Sequence, residues 1–392
     1  MTRLRILVFI HHYLPGFRGG GPAVSVSNLV DRLGDQIDFW IVTSDRDFGA
    51  SKRYAGVDPN SWVSVGRASV RYVRDSSMNV RTAVRIIATV KPQIIYFNSL
   101  FDTRSTLIPM MYLLTKRCYR YRIVLAPRGE LHPGALRVKS WRKRLFLLVL
   151  QLSKVPRLIN WHATNRNEHL HIVRGVASAS HVHIAPNIPS RVMISSDSLS
   201  KHRPELRAVF LSRISRKKNL RFAIEVLARA QPDWELDVYG PIEDQAYWDE
   251  CLSCAARLGV TDRVRYLGEV QHADVHSVLS VYSTFFFPSL GENYGHVVYE
   301  ALSAGCFVLT SVGVPWPQLD TMRCGARVSV DRLDEAVAVL LRLSEYSRAE
   351  WQSVRSAASR LGGTENAKSS MSEYRAIWNQ VLQRATRLSS WN

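Results

Sequence analysis

Two pairs of charged residues in the second half of the chain have types and spacings that suit a phosphorylated ligand. Arg213 and Lys218 follow the apolar run RAVFL, and Glu292 and Glu300 lie in the segment PSLGENYGHVVYEALSAG. Cationic side chains held in one place stabilise the charge that develops on a departing phosphate group. Carboxylates accept hydrogen bonds from hydroxyl groups, so the two pairs indicate chemistry on a ligand that carries both groups.

The loop that contains Glu292 is bounded by Gly291 and Gly295 and precedes a helix that carries Glu300. Glycines let a ligand approach the backbone closely, and the free N–H groups at a helix start bind anions. Glycosidase carboxylates, an alternative interpretation of the two glutamates, lie about 5–9.5 Å apart. Because eight residues of helix rise roughly 12 Å, hydrolysis is the less favoured interpretation.

A second glycine cluster, which includes Gly20 and Gly21, follows the run RILVFI and precedes a helix expected to begin near Pro22. The cluster lacks the GxGxxG spacing of a dinucleotide site. It is therefore either an anion-binding loop or a flexible connection, and the sequence leaves both interpretations open.

Short apolar runs alternate with helix-length segments along most of the chain, a pattern typical of parallel α/β units. The runs are rich in β-branched residues and lack in/out alternation, as expected for strands that are covered on both faces. The predicted fold class is α/β, with two Rossmann-like, doubly wound parallel sheets. The candidate strands are RILVFI, DFWIVTS, QIIYFNS, RIVLAPRG, INWHATN, HVHIAP, RAVFLSR, LDVYG, VRYLG, TFFFPSL, CFVLTS and ARVSV.

With 392 residues, the chain is long enough for two domains. We expect a first domain over residues 1–190, a polar linker near 190–205 and a second domain over 205–365. Residues 366–392 include the amphipathic segment AKSSMSEYRAIWNQVLQR and are expected to form a helix that packs back toward the first domain. Ligands bind beyond the carboxyl ends of strands in such sheets, so the predicted site is a cleft between the domains.

The charge balance favours anionic partners. Lys and Arg number 52 against 33 Asp and Glu, giving a formal charge of +19, and such a field attracts nucleic acid, anionic lipid or phosphorylated substrates. Basic residues beside Trp141 in the segments 116–122 and 137–154 suit an anionic membrane surface, or else an ordinary helix with a solvated basic face. Nucleic acid is disfavoured because no recognised binding module accompanies the charge.

No metal site and no membrane-spanning segment are expected. Cys251 and Cys254 form a CxxC within a predicted helix, without a second pair at zinc spacing, and the five cysteines suit a reducing cytoplasm. Asp45 and Asp47 form a DxD, which we interpret as a solvated loop. The longest apolar runs fall far short of the roughly 20 residues that a spanning helix needs.

The segments FLSRISRKKNL, DVYGPIED, VRYLGEV and PSLGENYGHVVYEALSAG, in that order, resemble the carboxyl half of retaining glycosyltransferases of family four. The hallmark of that family is an Arg-x4-Lys pair followed by Glu-x7-Glu, and Arg213/Lys218 and Glu292/Glu300 match both spacings. The resemblance covers most of residues 1–380, most strongly from about 205 to 315. It implies the two-domain GT-B fold.

The resemblance also implies roles for single residues in binding a nucleotide-diphosphate sugar. Arg213 and Lys218 would bind the diphosphate, Glu292 would contact the transferred sugar, and Glu300 would hold the ribose. The remaining donor contacts would come from the amides of Asn293, Tyr294 and Gly295, from the base-binding backbone at Tyr239, Gly240 and Leu267, and from the loop of Gly20 and Gly21. On the acceptor side, the resemblance and the strand-end positions point to Asn98, Arg128, Glu130 and His132, although His132 has a purely structural role as an equal alternative.

The resemblance thus predicts a metal-independent, retaining hexosyltransferase with a nucleotide-sugar as co-substrate and no cofactor. The basic segments predict a membrane-associated, lipid-linked saccharide acceptor, and hence cell-surface polysaccharide synthesis at the inner face of the cytoplasmic membrane. Two alternatives stay open: a sugar-nucleotide epimerase or glycogen-synthase-like enzyme, and a non-catalytic protein that binds anionic glycan or nucleic acid. The base, the sugar, the acceptor, the linkage and the oligomeric state are not determined by the sequence.

Overall fold

The computed structural model describes residues 3–16, 18–59, 61–115, 121–137, 140–153, 155–176, 179–191, 206–230 and 234–388. It divides into two compact units, which we call the N-unit (Met1–Pro189 with Ala367–Asn392) and the C-unit (Ser190–Asn366). Most of the linker predicted near 190–205 lies outside the described residues, as do residues 116–120, 138–139 and 154 of the basic segments.

The N-unit contains one eight-stranded sheet with the strand order β3-β4-β2-β1-β5-β6-β7-β8. Neighbouring strands run parallel, except that β3 and β4 form an antiparallel pair. The strands are β1 Leu4–Phe9, β2 Ile37–Ser44, β3 Trp62–Val65, β4 Ala68–Val73, β5 Ile94–Phe97, β6 Arg122–Leu125, β7 Ile159–Ala163 and β8 Val182–Ile184.

The C-unit contains a six-stranded, fully parallel sheet with the order β11-β10-β9-β12-β13-β14. All twelve predicted strands are present in the two sheets, so the predicted fold class is confirmed. The strands of this sheet are β9 Arg207–Leu211, β10 Glu235–Tyr239, β11 Val264–Tyr266, β12 Thr284–Phe287, β13 Phe307–Ser311 and β14 Gly325–Val328.

Helices connect the strands and cover both sheets. In the N-unit, a π-helix at Thr103–Leu107 leads directly into α3. The helices of the two units, in chain order, are α1 Gly21–Leu33, α2 Val80–Val90, α3 Ile108–Thr115, α4 Pro133–Arg137, α5 Ser140–Leu152, α6 Val155–Leu158, α7 Arg166–Gly175, α8 Leu220–Arg229, α9 Gln245–Arg257, α10 Val275–Leu279, α11 His296–Ser303, α12 Gln318–Met322, α13 Leu333–Ser344, α14 Arg348–Leu361 and α15 Thr364–Leu388.

Strand β1 shows why the apolar runs lack alternation. Ile6 and Val8 pack into the core on one face of the N-unit sheet, whereas Leu7 and Phe9 pack into the core on the other. Successive side chains of a strand point to opposite faces, so a strand that is covered on both sides needs apolar residues throughout.

The hairpin of β3 and β4 was not among the predicted strands. Strand β4 alternates between buried Val70 and Tyr72 and the partly exposed Ser69 and Arg71. This period of two is the ordinary signal of a strand that is buried on one face. The alternation of β4 therefore predicts a strand, although β4 lacks the continuous apolar run of the central strands.

Helix α15 packs on the sheet of the N-unit, as its assignment to that unit requires. Its buried face consists of Tyr374, Ile377, Trp378 and Val381, which have the 3–4-residue spacing of one helical face. The ring of Trp378 meets that of Tyr96 edge-on, with centroids 5.4 Å apart. The apolar spacing of the last helix thus decides that it covers a sheet, and the structure shows which sheet that is.

Candidate functional site

The ends of three neighbouring strands of the C-unit, β10, β9 and β12, bring the predicted donor residues to one edge of the sheet. After β9, the chain forms a 3-10 turn at Arg216–Lys218, and Asn219 then adopts a left-handed conformation (φ 58°) before α8. Asparagine tolerates this conformation better than most residues because its short side chain can hydrogen-bond locally. The Lys218 side chain at this turn is buried.

Lys218 and Glu292 are in direct contact, although they are far apart in the sequence. Lys218 Nζ donates a hydrogen bond of 2.5 Å to Glu292 Oε1, and Ser289 Oγ donates one of 2.7 Å to the same oxygen. The ammonium also lies 5.0 Å from the centre of the Phe287 ring. A buried cation, a carboxylate and a hydroxyl group therefore meet where β9 and β12 end.

Backbone hydrogen bonds hold the Glu292 loop in place from both sides. Leu290 N donates to Lys217 O (2.8 Å), and Glu292 N donates to Gly313 O (3.2 Å) in the loop after β13. A side chain at Gly313 would place its Cβ 2.8 Å from the carbonyl oxygen of Leu290. Gly313 is therefore required for the close approach of these two loops.

The local charges keep this carboxylate ionised. Burial raises the pKa of Glu292, but the positive charges of Lys218 and Lys217 and the hydrogen bonds from Lys218 and Ser289 outweigh it. The pKa of Glu292 is consequently below its ordinary value, and the group is negative at neutral pH. Burial lowers the pKa of Lys218, and Glu292 opposes that shift.

Arg213 lies in the same loop but has a different partner. Its guanidinium donates to Glu243 Oε1 at 2.8 Å and is partly exposed. Its positive charge contributes to lowering the pKa of Lys218, so the two cations are near each other. The structure thus brings Lys218 and Glu292 into contact and leaves Arg213 beside them in an exposed ion pair.

The start of α11 follows this loop, as the sequence predicts. Gly295 caps the helix in a left-handed conformation (φ 80°), which glycine adopts without strain. The carbonyl oxygen of Tyr294 accepts a hydrogen bond of 2.6 Å from Trp316 Nε1. Asn293, Tyr294 and Gly295 therefore form an ordered turn at the N-terminus of a helix, a position that suits an anion.

Glu300 lies on α11 and is 8 % exposed. Its Oε1 lies 3.8 Å from Nδ1 of His272, which belongs to a 3-10 turn at His272–Asp274 after β11. Burial raises the pKa of Glu300, and the charge of His272 opposes that shift. His272 was not among the predicted site residues, because the sequence offers no sign of this contact beyond its position after a strand.

The end of β10 is packed tightly against the end of β9. Gly240 has φ 131°, and a Cβ at this position would lie 2.0 Å from the carbonyl oxygen of Ser212. Only glycine fits this close approach. The hydroxyl of Tyr239 hydrogen-bonds Tyr282 (3.1 Å), and Leu267 is an exposed apolar residue. The predicted base-binding backbone thus lies next to the loop that carries Arg213.

In the N-unit, the partly buried Arg128 makes four internal hydrogen bonds. Its guanidinium donates to Asn187 Oδ1 (2.6 Å), to Tyr96 OH (2.8 Å) and twice to Asn98 Oδ1 (3.2 and 2.8 Å). Asn98 is itself buried. The sequence analysis predicts that Arg128 and Asn98, at strand ends, contact the acceptor. In the structure the two side chains are hydrogen-bonded to each other, because a guanidinium that is partly withdrawn from water needs internal acceptors.

Glu130 is similarly engaged, whereas His132 is exposed. The Glu130 carboxylate accepts hydrogen bonds from Ser99 Oγ (2.8 Å), Leu100 N (2.5 Å) and Phe101 N (3.2 Å). His132 Nδ1 accepts one from Gly134 N at 3.1 Å. Of the predicted acceptor residues, His132 is exposed, Arg128 and Glu130 are partly buried and Asn98 is buried.

The predicted glycine loop of the N-unit ends at Gly20 (φ 70°), which caps α1. A Cβ at Gly20 or Gly21 would meet no atom within 4 Å. The start of α1 is therefore open to a ligand, and neither glycine is required by packing.

A histidine–aspartate pair at the end of β1 was also missed. His11 Nδ1 lies 2.8 Å from Asp102 Oδ2, and His11 Nε2 lies 3.4 Å from Asp75. Donation of a hydrogen bond from the imidazole to Asp102 raises the pKa of His11. Although burial opposes it, the pairing lowers the pKa of Asp102 to about 2. The signal was available, since His11 directly follows the first predicted strand.

Asp45 and Asp47 form the DxD for which the sequence predicts a solvated loop, and Asp45 departs from that prediction. Asp45 is fully buried and forms ion pairs with Arg46 and Arg53, both at 3.0 Å. Two local cations thus offset the burial of its charge. Among the described residues, no group of three or more His, Cys, Asp or Glu side chains is arranged to hold a metal ion.

Helix α5 carries a stripe of exposed apolar side chains. Leu147 and Leu150 are buried in the core of the N-unit, so the helix is anchored by its opposite side. The stripe falls within an arc of roughly 100° at 3.6 residues per turn. It consists of Trp141, Leu145, Leu148, Val149 and Leu152, which are 52–81 % exposed.

Exposed Arg142 and Arg144 lie on either side of this stripe. Contiguous exposed apolar surface of this kind marks an interaction site. In the described part of the chain, no helix combines the length and the apolar character needed to cross a bilayer.

Part of the C-unit resembles a known family of enzymes. Residues 195–318 match the family described as glycosyl transferases group 1. The gpi3 subunit of phosphatidylinositol N-acetylglucosaminyltransferase from Schizosaccharomyces pombe is 26 % identical over 175 residues, 43 % of this chain. The match spans only 38 % of that relative's length.

Two solved structures cover nearly the whole chain. HepE from Anabaena, in complex with UDP and glucose, matches with a TM-score of 0.71 at 15 % identity, over 97 % of this chain and 99 % of HepE. WaaG, a glycosyltransferase involved in lipopolysaccharide biosynthesis, matches with a TM-score of 0.65 at 12 % identity, over 95 % of this chain and 99 % of WaaG.

The two parallel-sheet units and these matches define a protein of the GT-B fold, as the sequence predicted. Residues 195–318, which match the glycosyl transferases group 1 family, contain the Arg213/Lys218 and Glu292/Glu300 pairs.

Proposed function

We propose that the protein transfers a hexosyl group from a nucleotide-diphosphate sugar to a saccharide acceptor, with retention of configuration. The observation that carries this proposal is the buried contact of Lys218 with Glu292 at the start of α11, within the region of the group 1 glycosyltransferases. HepE, which shares the fold, was crystallised with UDP and glucose, and the proposal extends that class of donor to this chain.

In the proposed reaction, the bond between the sugar and the diphosphate breaks and negative charge grows on the diphosphate. Lys218 and Arg213 supply positive charge to this leaving group, and the N–H groups at the start of α11 donate hydrogen bonds to it. Such groups are already oriented before the reaction, so they stabilise the transition state more than the ground state. A donor phosphate oxygen takes the proton of the acceptor, which attacks from the same face, and no metal ion is required.

The same arrangement suggests how the rest of the donor is held. Glu292 would contact the sugar, and Glu300 would accept hydrogen bonds from the ribose. The backbone at Tyr239 and Gly240 and the exposed Leu267 would contact the base. For the acceptor, the exposed His132 would offer its imidazole, whereas contacts from Arg128, Asn98 or Glu130 would require present hydrogen bonds to be exchanged.

A panel of nucleotide-diphosphate sugars tests the proposal directly. We expect at least one of them, at near-millimolar concentration, to raise the thermal unfolding midpoint by several degrees, since a ligand that binds only the folded state stabilises it. The labelled sugar of that donor should then pass to acceptor, with EDTA present. Absence of any shift across the panel would contradict the proposal, and conversion of the donor without acceptor would indicate an epimerase.

We further propose that the acceptor is lipid-linked and that α5 docks on an anionic bilayer, at the cytoplasmic face of the membrane. The supporting observations are the exposed apolar stripe of α5, the flanking Arg142 and Arg144, and the net charge of +19. Apolar side chains would enter the interface while the arginines meet lipid phosphates. WaaG is involved in lipopolysaccharide biosynthesis, and the gpi3 relative belongs to an enzyme named for phosphatidylinositol.

The double variant Leu148→Asp/Val149→Asp is expected to bind vesicles of mixed phosphatidylglycerol and phosphatidylcholine at least tenfold more weakly than the wild type. Burying each apolar side chain stabilises binding by about 1.5–3 kcal/mol, and two carboxylates are repelled by anionic lipid. Co-sedimentation measures the effect. Leu252→Asp, at an exposed apolar position on α9 of the C-unit, is the matched control and should bind normally. Equal binding by the wild type and the double variant would exclude α5 as the docking surface.

A further inference from the structure

The carboxylate of Glu300 has fewer hydrogen-bond donors than those of the buried Glu168 and the partly buried Glu130 and Glu292. Glu168 accepts hydrogen bonds from Thr164 N, Thr164 Oγ1 and Gly129 N, at 2.6–2.8 Å. Glu130 accepts three, and Glu292 accepts two at one oxygen. For Glu300, the charged partner among the described residues is His272 at 3.8 Å, which is beyond hydrogen-bond distance.

A carboxylate that is this buried is costly to leave without hydrogen-bond donors. Burial raises the pKa of Glu300 for the same reason, and the charge of His272 opposes that rise. The Glu300 carboxylate is buried, has unused lone pairs and lies at a site predicted to bind a nucleotide. A ligand that brings its own hydrogen-bond donors explains this arrangement. Two neighbouring hydroxyl groups meet this need, since a carboxylate has two oxygens that can each accept a hydrogen bond.

His272 is placed to influence this carboxylate from the solvent side. It lies in the turn after β11, in the stretch that follows the exposed Leu267, and its side chain is 41 % exposed against 11 % for that of Glu300. The two residues come from different elements, the turn at His272–Asp274 and helix α11. The tertiary structure alone therefore brings these two side chains together, and one of them, Glu300, is a predicted donor contact.

We propose that His272 is a positioning residue that orients the Glu300 carboxylate toward the two ribose hydroxyls and so contributes to selection of ribonucleotides. The inference rests on the proposed function. Attraction to the imidazole holds the carboxylate in one orientation and favours its ionised form, which is the better acceptor for hydroxyl groups. His272 itself need not touch the nucleotide.

The test compares the nucleoside diphosphate that gives the largest thermal shift, with UDP as the first probe, against its 2′,3′-dideoxy analogue. Both are titrated calorimetrically into the full-length protein. The wild type is expected to prefer the ribonucleotide by about 10–100-fold, since hydrogen bonds to a charged group contribute about 1.5–3 kcal/mol. His272→Phe is expected to reduce this preference by about three- to tenfold through weaker binding of the ribonucleotide, with dideoxy affinity within about twofold of the wild type.

Three further variants separate positioning from a general structural effect. In an E300Q background, His272→Phe should cause no additional loss of preference, because the two residues act through one contact. His272→Lys places a positive charge at this position and should retain part of the preference. His276→Gln replaces a nearby histidine on α10 and should behave like the wild type.

Two results would overturn the inference while leaving the proposed function intact. One is a His272→Phe protein that binds both nucleotides equally more weakly, which indicates a structural role. The other is a His272→Phe protein that keeps the full ribonucleotide preference. A wild-type protein that binds no nucleoside diphosphate would instead overturn the proposed function, and this inference with it.

Discussion

Replacing Lys218 by alanine is expected to lower the turnover of glycosyl transfer by about 10²–10³-fold, the usual effect of removing one preorganised group that stabilises developing charge. The ammonium is buried and in contact with Glu292, so water cannot replace it fully. The measurement is the initial rate of transfer of labelled sugar at saturating donor. Lys218→Arg, which keeps the charge but changes its geometry, should retain more activity than Lys218→Ala.

Loss of Lys218 also removes the direct counterion of the largely buried Glu292, which costs up to about 3–5 kcal/mol of stability. The thermal midpoint must therefore be measured beside the rate, at a temperature where the variant is folded. Arg221→Ala is the matched control, because it removes an exposed cation of α8 that pairs with Glu225 within the same helix. A folded Lys218→Ala protein with normal turnover would refute the proposed role of this residue.

Replacing Arg128 by alanine is expected to lower the free energy of unfolding of the N-unit by about 3–5 kcal/mol, as for other buried charged groups whose partners are left behind. Tyr96, Asn98 and Asn187 would lose a shared donor in a buried place. For a domain of this size, the thermal midpoint should fall by roughly 6–20 °C. The change in the free energy of unfolding is measured by calorimetry, or by urea unfolding monitored with a spectroscopic probe in the N-unit.

The control for this prediction is Arg166→Ala, which removes an exposed arginine at the first residue of α7 and should change stability by less than about 0.5 kcal/mol. Arg128 was predicted from sequence to bind the acceptor. A stable Arg128→Ala protein whose only defect is a raised KM for acceptor would restore that interpretation and contradict the structural one.

The positions of most strands followed from the apolar runs, because strands that are buried on both faces must be apolar throughout. Strand β4 was missed because it is partly exposed and alternates instead. The order of strands in each sheet could not be read from these runs. It depends on which strands pair, and pairing is decided by the packing of the whole unit.

For the site, residue types and spacing identified Lys218 and Glu292 before any contact was known. Their contact exists because β9 and β12, which lie far apart in the chain, are neighbours in the sheet. The same reasoning did not reveal the internal partners of Arg128, since they come from the end of β5 and from the loop near residue 187. A strand-end position shows that a side chain can face a ligand, but not whether internal acceptors have engaged it.

The sequence by itself thus determined the fold class, the position of the predicted donor residues at strand ends and the excess of positive charge. These properties depend on local periodicity and on residue chemistry, which need no long-range contact. Only the tertiary structure decided that Arg128 is internal, that α5 exposes an apolar stripe and that His272 lies beside Glu300. Burial and partnership are set by residues distant in the chain, and the free energy of a charged group depends on those neighbours more than on its own identity.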